Sequence, residues 1–120
     1  MKLEIVSVKG AGILKEERVV LRANADTDIG DYLVADTTYQ GEGQVSNKLR
    51  NIFWLPDKIV SARDLVVIYS KSGNDKTQEN KSGTRTHFIY WDLNKTVWNK
   101  DEDAITLFHI KDWDVKQVKT

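Results

Sequence analysis

Between Asn51 and Ser70 the chain reads NIFWLPDKIVSARDLVVIYS, and this stretch limits the fold more than any other. An aromatic run, Ile52 to Leu55, meets the chain's single proline, Pro56, and a polar connection leads to Leu65-Val66-Val67-Ile68-Tyr69. Proline cannot continue a ladder of backbone hydrogen bonds, so it ends the first run. The second run is β-branched, bounded by turn residues and too short for a helix, which is the pattern of a strand buried in a sheet core. Two such segments need other strands to cover them.

Those strands are readable in order. Leu3 to Val8 alternates imperfectly, with Leu3 and Ile5 on one face and Val6 and Val8 on the other, which predicts a bulge or a change of sheet near Ile5 and Val6. Arg18 to Ala23 alternates cleanly, placing Val19, Leu21 and Ala23 inward. Tyr32 to Asp36 reads as a third strand, and residues 37–48 as a polar crossing with Gly41 and Gly43. Residues 71–85, KSGNDKTQENKSGTR, hold no large apolar side chain and read as a long polar loop. His87 to Trp91, Ala104 to Ile110 and an edge strand over Trp113 to Val118 complete the set, with Lys116 and Lys119 guarding the edge. No window carries a helical period. Seven to nine short strands at regular spacing predict an all-β, antiparallel sandwich. At 120 residues there is one core to build, so residues 1–120 are read as one domain.

The order of these pieces resembles the lamin tail domain, an immunoglobulin-like β-sandwich. The resemblance rests on Val19-Val20-Leu21 with Asn24, and on Ile29-Gly30-Asp31-Tyr32-Leu33 through Asp36. Phe53, Pro56, Ile59, the corner Ser61 to Asp64 and Leu65-Val66-Val67 follow, and then Trp98-Asn99 before Asp103 to Leu107. It covers roughly residues 17 to 110. Glu102 stands where the family has glycine, and Ala62-Arg63 where it has a Pro-Gly turn. The resemblance implies binding to proteins, chromatin or surfaces, and it supplies no catalytic residues. Filament assembly is not carried over, since no coiled-coil rod is present.

Chemistry is sparse. Without cysteine there is no disulfide, thiol nucleophile or thiolate metal site. Asn99, Asp101 and Asp103 alternate as calcium ligands do, but Ala104 and Ile110 occupy the positions of the required glycine and glutamate. His87 and His109 lack metal-ligand spacing, and the serines and glycines form no catalytic or phosphate-binding motif. The expectation is no enzyme, no metal and no cofactor. Equal acidic and basic counts, 18 each, remove the net-charge case for a dedicated nucleic-acid binder. Nothing approaches the roughly 20 apolar residues of a membrane span. The first residues lack the apolar stretch of a signal peptide, so the chain as written reads as cytoplasmic, unless it is cut from a larger protein.

Binding residues are therefore the candidates. Trp91 and Trp98 belong to a heavy aromatic load, and adjacent Tyr90 and Trp91 must face opposite sides of a strand. Lys71, Lys76, Lys81 and Arg85 give the polar loop a basic excess, offset by Asp75 and Glu79. The function expected is a non-enzymatic, protein-binding module, with self-association through an edge strand or the aromatic surface as one form of it. Two alternatives stand beside it. One is weak nucleic-acid binding by Lys48, Arg50 and the loop cations. The other, ranked lower, is a calcium-dependent binding or hydrolytic domain.

Overall fold

A computed structural model of the chain describes residues 1–98 and 102–119. Among the described residues it is built from strands and one short 3-10 turn, Ile29–Asp31. The strands are β1 (Leu3–Lys9), β2 (Arg18–Ala23), β3 (Thr27–Asp28), β4 (Tyr32–Gly41), β5 (Gln44–Val45) and β6 (Arg50–Trp54). They continue as β7 (Ile59–Val60), β8 (Leu65–Tyr69), β9 (Lys76–Glu79), β10 (Arg85–Tyr90) and β11 (Asp103–His109). One sheet has the order β1-β2-β8-β10-β9, and the other places β4 between β11 on one side and β5 and β6 on the other. β3 and β7 form a small separate ladder.

The two sheets bury a common core. Leu3, Val19, Leu21, Ala23, Val66, Ile68 and Ile89 come from the first, and Tyr32 and Val34 from the second, with Phe53, Ile105 and Leu107 packed against them. Each set follows the two-residue period of its strand, which is why the β-sandwich was legible beforehand. β1 carries an irregularity between Ile5 and Ser7, where Val6 is the extra residue. The bulge reverses the later alternation and turns Val8 inward opposite Val19.

Several expectations are corrected. β8 and β10 run parallel, so the first sheet is mixed rather than antiparallel throughout. Residues 71–85 are not one loop. They carry β9, which pairs antiparallel with β10, and the hairpin inserts β10 between β8 and β9. All four β9 side chains are exposed, so no apolar signal marks the strand. Residues 37–48 likewise extend β4 to Gly41 and return as β5 instead of crossing as a loop. Trp113 to Val118 forms no strand. Asp112 and Asp114 accept the N–H groups of Trp113 (2.9 Å) and Val115 (2.8 Å), local bonds that compete with a ladder.

Candidate functional site

Alternation fixes what each sheet shows to solvent. On β6, Phe53 turns into the core, so Ile52 and Trp54 point outward. Register then builds two outer rows on the second sheet: Phe108–Leu33–Trp54 and Thr106–Ala35–Ile52. An outer sheet face is normally polar, yet Ile52 is 52% and Trp54 46% exposed. Trp113, 62% exposed, meets Trp54 edge to face with ring centroids 5.1 Å apart. Trp54 is anchored by Nε1 donating to the Gly30 carbonyl at 2.8 Å. Gly30 itself admits no side chain, since a Cβ there would lie 2.9 Å from the Asp57 Cα. The tryptophan pair is therefore held at one end of the sheet, beside a shallow hollow lined by Gly30, Asp31, Leu55, Pro56 and Asp57.

The tryptophans singled out by sequence sit elsewhere. Trp98 is only 4% exposed and belongs to the core, so it offers a partner no face. Trp91 is half-buried against Phe53 at 5.3 Å and Trp98 at 6.3 Å. Both close the core end of the sandwich. Their large apolar area favours burial once neighbours are available, and sequence could not supply the neighbours.

The basic residues also resolve individually. The outer face of the first sheet carries a column of rings, with Tyr69 stacked on Tyr90 (5.4 Å, 11°) and next to Phe88 (6.4 Å). Lys71 Nζ lies 4.8 Å and Arg18 5.8 Å from the Tyr69 centroid, and Lys76 Nζ 5.4 Å from that of Phe88. Lys81 is exposed in the β9–β10 turn, and Arg85 pairs with exposed Glu79 at 3.5 Å. Arg50 belongs to the other sheet, where it bridges Asp36 and Asp103, each at 3.4 Å. Lys48 precedes that same strand. The combined patch of Lys48, Arg50 and the 71–85 cations is thus not assembled.

Asp103, weighed as a calcium ligand, is committed to that arginine. Asn99 and Asp101 lie outside the described residues. Burial, and then the neighbouring Asp103 charge, push the Asp36 carboxyl above its ordinary value despite Arg50 and Asn51. His87 and His109 are in different sheets. His109 stacks on Tyr32 at 4.8 Å. His87 Nε2 lies 2.8 Å from the Asp64 carboxylate, and its Nδ1 lies 3.2 Å from the Thr77 hydroxyl. Burial pushes the Asp64 carboxyl up. Donors from His87, Arg85 and Ser61 outweigh that and hold it below its ordinary value. Hydroxyl, imidazole and carboxylate in this order are also the parts of a nucleophile relay. Lys58 Nζ also donates to the Thr77 oxygen, so these side chains link the start of β8 to β9 and β10.

A second polar centre had no signal in the sequence. Glu17 is fully buried and accepts N–H bonds from Gly12 (3.0 Å), Val97 (2.8 Å) and Trp98 (3.1 Å), and a bond from the Ser70 hydroxyl. It ties together three separate connections of the chain.

No protein-family model matches this chain, and no curated protein matches it either. Among the described residues no helix is long and apolar enough to cross a membrane.

Proposed function

We propose that the chain is a non-enzymatic, protein-binding module of the immunoglobulin-like, lamin-tail type. Its partner docks on the outer face of the four-stranded sheet. The observation that carries this reading is the exposed cluster of Ile52, Trp54 and Trp113 on a sheet face where polar side chains are the norm. Tryptophan supplies large contact area at low entropic cost and is enriched at the centres of interfaces. The earlier candidates Trp91 and Trp98 are replaced in this role by Trp54 and Trp113.

A photoreactive side chain at position 52, with one at position 81 as control, tests the assignment in the organism's own cells. Protein adducts are expected at 52 and not at 81. Adducts of equal yield at both positions, or none at 52, would remove the outer face from the reading.

A second reading is favoured by the column of Tyr69, Phe88 and Tyr90 flanked by Arg18, Lys71 and Lys76. Rings interleaved with cations are the combination that stacks bases and meets phosphates in single-stranded nucleic acid. Each ring is already half-covered, and its cations already lie over it, which ranks this reading second.

A further inference from the structure

We propose that two copies of this chain associate side by side, pairing β11 with β11 antiparallel about a two-fold axis at Thr106. Among the described residues β11 pairs only with β4, so its other edge presents unpaired backbone groups along seven residues. That edge forms the side of a cleft of about 680 Å³, walled by Met1, Leu3 and Ile5 and by Tyr39, Gly43 and Val45. Ile5 and Val6, 39% and 45% exposed, lie on β1, the facing edge of the other sheet, and add apolar surface to this open side of the sandwich.

The strand's own sequence names the occupant. Read antiparallel against itself about Thr106, DAITLFH sets Asp103 opposite His109, Ala104 opposite Phe108, Ile105 opposite Leu107, and Thr106 opposite Thr106. A small residue meets a large one and two aliphatics meet, while Asp103 keeps its bridge to Arg50. A two-fold axis perpendicular to the sheet keeps Ile105 and Leu107 of both copies on the inner side, where they join Leu3 and Ile5. The 39–45 hairpin flanks the Ala104 end, and antiparallel pairing places the second copy's hairpin at the opposite end of the joint strand pair. The pairing runs along the edge and leaves Ile52, Trp54 and Trp113 outside it. It therefore stands or falls independently of the proposed partner face.

The chain lacks cysteine, so single-cysteine variants report on the axis directly. Opposed residues of an antiparallel pair have Cα atoms about 4.5–5.5 Å apart, within disulfide reach. Position 104 would stand about 13 Å from its own copy, four residues along the strand, and out of reach. On mild oxidation Thr106→Cys is expected to form a covalent dimer at least about tenfold faster than Ala104→Cys, given that geometry. Sedimentation of the unmodified chain should show a concentration-dependent dimer, with slower amide exchange in β11 as the concentration rises. A chain that stays monomeric at every concentration overturns the proposal. So does a dimer in which β11 amides gain no protection, or in which both cysteines cross-link equally.

Discussion

At the scale of single residues, the polar groups of this core are the unexpected part. Glu17 is buried, pairs with no cation among the described residues, and accepts from three backbone N–H groups and one hydroxyl. A carboxylate is acceptor-only, and this site presents only donors, so the match is chemical as well as steric. Asp64 follows the same logic, and its pH dependence can be tested. Its folded pKa lies below the ordinary 3.8. Just below that value the unfolded chain takes up a proton that the folded chain refuses, so stability falls as the pH drops through this window. Above it the contribution is complete. Asp36 runs the other way. Between 3.8 and its raised folded value the native state keeps the proton longer, so this group's contribution declines as pH rises. Asp64→Asn turns an amide donor toward groups that are themselves donors. It should cost about 1–3 kcal/mol at neutral pH. Urea unfolding between pH 2.5 and 7 should also show a weaker acid-side slope than in the parent chain.

At the scale of elements, the corner before β8 shows how a turn accepts a residue that local rules disfavour. Arg63 sits at φ 75°, in the left-handed region, on an exposed turn. Its N–H donates to the Ala23 carbonyl at 2.7 Å, and the Asp64 carbonyl accepts from the Ala23 N–H at 2.9 Å, which holds the turn against the end of β2. Both bonds are backbone bonds and survive substitution. Arg63→Gly should therefore leave the fold intact and, by relieving a strain of roughly 1–2 kcal/mol against glycine's greater unfolded freedom, raise stability by up to about 1 kcal/mol. A lowered urea midpoint would show that the arginine side chain contributes more than the strain costs.

At the scale of the whole molecule, the two outer faces differ in kind. One sheet shows tryptophan and aliphatic side chains, the other a ring column with cations beside it. This gives the second functional reading a sharp test. If single-stranded nucleic acid binds along Tyr69, Phe88 and Tyr90, affinity for an oligothymidine must fall as salt rises, because phosphate contacts release counterions. Lys71→Ala and Lys76→Ala together should flatten that dependence by about 1–2 in the log–log slope. Binding that is indifferent to salt, or unchanged in the double variant, would leave the tryptophan face as the sole candidate.

Much of the architecture was determined by the sequence. Alternation in β2, the buried run of β8 and the bulge in β1 are local patterns, and local patterns record which face of a strand must leave water. The role of the polar stretch 71–85 was not recorded in that way. β9 has no apolar side chain, and the parallel pairing of β8 with β10 depends on a hairpin folding back between strands distant in sequence. The same limit applies to the sites. Trp91 and Trp98 read as candidate contacts from composition, and packing buried Trp98 in the core and half-buried Trp91 against Phe53. Trp54 stays about half exposed because it lies on the outer face of β6, beside Leu33 of β4, with its ring against Trp113 and its Nε1 on the Gly30 carbonyl. A strand's period tells which residues share a face. Which faces meet is a property of long-range register, and only the tertiary structure carries it.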